Sequence, residues 1–152
     1  MNATSLRTRA DYYYWAFTLR LVDVAEIASW ATDVLATVDG APPPLVELAT
    51  AENWDTESVL EQLRRVPGEN DSRTTFTMLM RLLAGRYFAG TDQLSYTLRL
   101  CEALHEEFSA SEEPYSEVIS MCHRWEGVEY GFGESEKEFR RAFEDFLRRE
   151  FV

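Results

Sequence analysis

Cys101, His105, Cys122 and His123 carry the most reactive side chains of this sequence, and their spacing sets what chemistry is open to them. Cys101 and His105 are spaced i, i+4, one turn of helix apart. A zinc site needs four convergent ligands, whereas adjacent Cys122 and His123 would point about 100° apart on a helix. Glu102-x-x-His105 has the spacing of a di-iron bundle motif, but that architecture uses the motif twice and adds two further glutamates. Here it occurs once, and His123-x-x-Glu126 reverses the order. Cys101, His105 and Cys122 also fall on apolar stripes, where thiols and an imidazole are ordinary core or boundary residues. No metal and no cofactor is expected.

Nucleophilic chemistry is no better served. A catalytic cysteine needs a neighbouring base and surroundings that favour the thiolate. The glutamate-rich context of Cys101 and Cys122 works the other way. There is no Gly-x-Ser-x-Gly elbow, and Gly131-x-Gly133, flanked by Glu129 and Glu134, would repel an anion rather than cradle one. Carboxylate pairs carry little information when 27 of 152 residues are acidic. The chain is not expected to be an enzyme; an unrecognised helical enzyme or metal protein is an alternative.

The elements that would position these residues read as helices throughout. Ile27, Trp30, Ala31, Val34, Leu35 and Val38 form an i, i+3, i+4 stripe opened by Asp23 with Glu26 and stopped at Asp39-Gly40. Pro42-Pro43-Pro44 starts a short helix running from about Pro44 to Ala51. Val59, Leu60, Leu63 and Val66 follow, opened near Asp55 or Thr56 and closed by Pro67-Gly68. Phe76, Leu79, Met80, Leu83 and Tyr87 carry a helix ending around Gly90, and Leu94, Leu98, Cys101, Leu104, His105 and Phe108 carry the next. Tyr115, Val118, Ile119, Cys122 and Trp125 line another, and Ser135 with Glu138 opens a last helix striped by Phe139, Ala142, Phe143, Phe146 and Leu147. Asp11 to Leu21 is rich in aromatics, as a strand would be, but has no partner strand, so it too reads as helix. Its consecutive aromatics cannot all face one core, so some sit at a boundary or an interface. The expected fold is all-α: a single domain over 1–152, an irregular bundle of seven to eight helices with short connections and no sheet.

Charge is the outlying property, with 27 acidic against 15 basic residues, a net charge of -12 and a pI near 4.6. A field of that sign disfavours nucleic acid and anionic lipid as partners. No run of about 18 apolar residues is present to span a bilayer. The first residues lack the apolar core of a signal peptide, so a cytoplasmic protein with free thiols is expected. Eleven glutamates lie between Glu102 and Glu138, against only Arg124 and Lys137. Glu102, Glu106, Glu107, Glu112, Glu113, Glu117, Glu126, Glu129 and Glu134 are the candidates for a partner-binding face, where opposing charge would speed encounter with a basic protein. The bland reading of the same glutamates is a solvated face that keeps the protein soluble. The final helix interleaves its acids with Arg140, Arg141, Arg148 and Arg149, with Glu136–Arg140 and Glu144–Arg148 in the favourable i, i+4 order, and reads as structural.

Trp30-Ala31-Thr32-Asp33-Val34-Leu35 followed by Pro42-Pro43-Pro44-Leu45-Val46-Glu47-Leu48 resembles a pattern in small, acidic, helical bacterial proteins, some of which are immunity proteins of polymorphic or contact-dependent toxins. The resemblance implies a non-catalytic protein that neutralises a toxin, such as a basic nuclease, by binding it. It transfers no individual functional residue. The expectation is an acidic, all-α protein-binding domain. A secretion or assembly chaperone is the runner-up, distinguished by a large exposed apolar groove. A DNA mimic is a further alternative, requiring carboxylates spaced like phosphates.

Overall fold

Asp23, Asp55 and Ser135 each stand one residue ahead of an apolar stripe, and each side chain accepts the amide hydrogen bond that starts a helix. Asp23 accepts from the Glu26 amide at 2.9 Å, Asp55 from Ser58 at 2.8 Å and Ser135 from Glu138 at 3.2 Å. Ser5 does the same for Thr8 at 3.1 Å. The computed structural model describes residues 4–108 and 114–152, where the chain forms eight α-helices and no strand. These are α1 (Leu6–Thr18), α2 (Val24–Thr37), α3 (Pro43–Leu48), α4 (Thr56–Arg65), α5 (Ser72–Phe88), α6 (Leu94–Phe108), α7 (Tyr115–Glu129) and α8 (Glu136–Phe151), with a 3-10 turn at Ala51–Asn53. The all-α expectation holds, and the aromatic segment Asp11–Leu21 lies mostly within α1. No helix among the described residues is long and apolar enough to cross a membrane.

Length points to one domain over 1–152, while the contacts divide the chain into two compact units, Met1–Thr75 and Phe76–Val152, with the boundary inside α5. In the first unit α1 packs on α4, α4 on α3 and α3 on α2. Ala10, Ala16, Ile27, Ala31, Leu45, Leu48, Val59 and Leu63 are fully buried there. Arg7 is buried as well, and its guanidinium ends α4: Nη1 donates to the carbonyls of Leu63 at 2.9 Å, Arg64 at 2.9 Å and Val66 at 2.7 Å. Its other end pairs with Asp11, one turn along α1. A buried cation thus serves the carbonyls of a helix terminus, where Leu63 also accepts a 3.4 Å bond from the Val66 amide. The half-buried rings of α1 are used locally. Tyr13 lies against Trp30 with centroids 4.8 Å apart, and Arg64 sits 4.9 Å over Tyr14 and donates to its hydroxyl.

The second unit has an aromatic core. Phe139 and Phe143 on α8 stack at 5.8 Å, Trp125 of α7 meets Phe139 at 5.4 Å, and Phe76 of α5 meets Tyr115 at 5.0 Å. Ion pairs tie its consecutive elements: Arg86 to Asp92 at 2.7 Å across the α5–α6 turn, and Arg124 to Glu134 at 2.8 Å across the α7–α8 turn. The expected i, i+4 pairs of α8 are long, 3.9 Å for Glu136–Arg140 and 4.0 Å for Glu144–Arg148. Arg149 instead reaches Glu117 on α7 with bonds of 2.9 and 3.1 Å.

Candidate functional site

With Leu98, Cys101 and Leu104 of α6 and Val118, Met121 and Cys122 of α7 turned inward, the residues next to them stand at the edges of the packed seam. A helix advances about 100° per residue, so Glu102, Glu126 and Glu129 flank the line where α6 meets α7. Between them is a groove of about 380 Å³, floored by Leu98, Cys122 and Trp125 and edged by Arg99, Glu102, Glu126, Glu129 and Tyr130. Three carboxylates face one guanidinium, leaving the groove negative.

The thiol beneath registers that field. Cys122 is pushed up to about 12, first by burial and then by the charges of Glu102 and Glu126. Its Sγ donates to the Leu98 carbonyl at 3.8 Å. Cys101 is likewise pushed well up, by burial first and by Cys122 second. Burial thus disfavours the thiolate of both, and both side chains pack in the core of the second unit. Among the described residues no three of His, Cys, Asp and Glu are grouped to hold a metal ion. His105 is half-buried, its Nε2 without a hydrogen-bond partner among the described residues, and His123 is exposed.

The nine candidate glutamates therefore divide by their surroundings. Glu102, Glu126 and Glu129 share the groove. Glu106 and Glu107 are exposed farther along α6. Glu117 is engaged by Arg149, and Glu134 is bridged by Nε and Nη2 of Arg124, whose hydrogen bonds hold its carboxyl below its ordinary value. Their charge is largely cancelled in place. Glu112 and Glu113 lie outside the described residues.

Sequence reasoning missed Arg99 and Tyr130 as groove residues. The signal for Tyr130 was on the page: an aromatic beside Gly131-x-Gly133 has no stripe to join. A second, wider cleft of about 550 Å³ shares Trp125 and Ser95 with the groove and holds Tyr87, Asp92, Glu136, Arg140 and Glu144. Tyr87 and the cleft's charged groups are already mated. The Tyr87 hydroxyl donates to Glu144 at 2.8 Å and accepts from Arg140 at 3.3 Å, and Asp92 is clamped by Arg86. Burial, with Glu144 next in weight, raises the Tyr87 phenol above its ordinary value. The groove, with unbridged carboxylates over an aromatic floor, is chemically the more open of the two. Comparison of the chain with protein-family models, with curated proteins and with solved structures finds no match.

Proposed function

We propose that the chain is a non-catalytic protein-binding domain of the cytoplasm whose acidic α6–α7 groove receives a basic segment of a partner protein, the role an immunity protein plays toward a basic toxin. The observation that carries this reading is the convergence of Glu102, Glu126 and Glu129 over Trp125 and Tyr130, with Arg99 the one basic residue among the groove's lining residues. A cationic side chain entering there would exchange water for carboxylates and for aromatic faces that attract cations. The high thiol pKa values support a binding role over a nucleophilic one. The net charge of -12 argues against nucleic acid and anionic membranes as partners.

The test is a purification from native cells with tagged wild type and with the Glu102→Lys/Glu126→Lys/Glu129→Lys variant. A basic protein retained by the first and lost by the second is the expected outcome. Its association with wild type should be faster by about tenfold or more at low salt and should converge with the variant as salt rises. For a toxin partner, co-expression of wild type should protect cells and the variant should not. Equal association rates for the two proteins at low salt would overturn the reading.

A further inference from the structure

The turn between α7 and α8 exposes two large aromatic side chains in succession, Tyr130 at 75% and Phe132 at 74%. Isolated exposed aromatics are commonplace, but this pair stands on a backbone fastened by hydrogen bonds. The Tyr130 amide donates to the Glu126 carbonyl at 3.0 Å, Gly131 to Val128 at 3.1 Å and Phe132 to Gly127 at 2.7 Å. Gly131 and Gly133 take positive φ, +77° and +80°, which lets the chain reverse on both sides of Phe132. The Phe132 carbonyl lies so close to Gly127 that a Cβ there would sit 3.1 Å from it. Arg124 then bridges to Glu134 with two hydrogen bonds of 2.8 and 2.9 Å and pins the far side of the turn. The backbone part of the cost of presenting the two rings is met in the free protein, which favours a binding anchor over aromatics on a loose loop.

We infer that Tyr130 and Phe132 form a preorganised aromatic anchor that docks on an apolar surface rimmed by lysine or arginine on a partner protein. The inference rests on the protein-binding reading above and adds where the apolar part of the affinity resides. Charge complementarity selects the partner. Glu126 and Glu129 are exposed immediately before the turn, so the rings are approached through a negative rim. That rim opposes an anionic bilayer, and the net charge of -12 opposes a second copy of the same chain. An apolar patch with basic edges satisfies both the rings and the carboxylates.

The probe is a synthetic amphipathic helical peptide with a leucine face edged by lysine, compared with a peptide of the same leucine face edged by glutamate. Binding is read on the full chain by fluorescence anisotropy of the labelled peptide, and helicity of each variant by circular dichroism. The Lys-edged peptide should bind wild type. The Tyr130→Ser/Phe132→Ser variant should weaken it by about tenfold or more. Tyr96→Ser, at an aromatic exposed on α6, should leave it unchanged. Glu126→Gln/Glu129→Gln should weaken binding and flatten its salt dependence. If the serine variant binds like wild type while the glutamine variant does not, the anchor is wrong and the acidic groove stands. If neither variant matters, or wild type does not bind the Lys-edged peptide, both readings fall. Equal binding of the Glu-edged peptide, or sedimentation with phosphatidylcholine vesicles, would show apolar adsorption in place of the stated partner chemistry. Self-association of wild type that the serine variant abolishes would overturn the partner protein in favour of a second copy.

Discussion

The two units carry the same charge and dispose of it differently. The first has six basic and twelve acidic residues and the second nine and fifteen, so each is -6. Half of the first unit's acids are aspartates, against two of fifteen in the second. Aspartate's short side chain reaches backbone amides, and Asp23, Asp55 and Asp71 do so at the starts of helices, while Asp11 holds buried Arg7. Glutamate, one methylene longer, stays on helix faces, and in the second unit three of them remain unbridged over a groove. Net charge therefore does not locate a binding face. What matters is whether the acids are absorbed by local structure, and the choice of Asp or Glu is an early sign of that.

The largest expected effect tests the core that holds the glutamate-bearing helices in place. Phe139 is fully buried between Phe143 and Trp125. Phe139→Ala should cost about 3–5 kcal/mol in urea unfolding and shift the Trp125 emission to the red. A loss of less than about 1 kcal/mol would mean that the groove does not depend on this aromatic stack. In the first unit the corresponding test is ionic. Arg7→Met takes the guanidinium from three carbonyls and Asp11, and should cost about 3 kcal/mol with little dependence on salt, because the guanidinium is buried. A loss that disappears in high salt would place Arg7 among ordinary surface charges.

The contrast between absorbed and unbridged charge also sets the pH response. Hydrogen bonds from Ser58 and from Thr74 hold Asp55 and Asp71 below their ordinary values. Their contribution is present above the usual carboxylate range and is lost as pH falls through the lowered values, so acid weakens the first unit's caps. Cys122 runs the other way. Its thiol stays neutral in the folded state up to about 12 but ionises from 9.0 when unfolded. The folded state then binds more protons across that window, and stability falls as pH rises through it, by about 2 kcal/mol near pH 10.5. Urea midpoints at about pH 8 and 10.5 for wild type and Cys122→Ala check this, with a flatter pH dependence expected for the variant. An equally steep decline in Cys122→Ala would assign the effect to other groups, Cys101 foremost, since burial holds its thiol well up, and then Tyr12 in the first unit, whose phenol is raised to about 12 by burial.

What could be read from the sequence was what neighbours in the chain decide. The caps at Asp23, Asp55 and Ser135 and the stripes of α2, α4, α6, α7 and α8 rest on residues within a few positions of each other, and they stand where their spacing puts them, except that Leu35 and Val38 at the end of the α2 stripe are exposed. Three features rest on distant partners and were not legible. Arg7 looks like a solvated basic residue until Leu63 and Val66 are brought to it. Glu117 counts as free charge until Arg149 arrives from 32 residues away. The unit boundary falls inside the continuous helix α5, at the end of the polar run Glu69–Thr75, which reads as a loop and a helix start and not as the edge of a unit. Of the site, the acidic identity of α6 and α7 was legible; which carboxylates stay unbridged was not, since that depends on where the arginines reach.

The smallest expected effect exchanges one detail between the units. α1, α5 and α7 end alike, with an amide bonding back five residues: Leu21 to Ala16 at 2.7 Å, Thr91 to Arg86 at 3.0 Å and Phe132 to Gly127 at 2.7 Å. The residue before that amide has positive φ in all three, and it is glycine in the second unit, Gly90 and Gly131, but Arg20 in the first, at +60°. A side chain in that region costs about 1 kcal/mol that glycine does not incur, against which glycine loses more entropy on folding. Arg20→Gly should therefore raise stability by about 0.5–1 kcal/mol, and Gly131→Ala should lower it by about 1 kcal/mol. No atom lies within 4 Å of a Cβ at Gly131, so the second effect is conformational, without steric clash. Both are measured by urea unfolding at neutral pH. Arg20→Gly destabilising the protein would mean that the Arg20 side chain contributes more than its strained backbone costs, and the first unit would then hold another arginine at work in its structure beside Arg7.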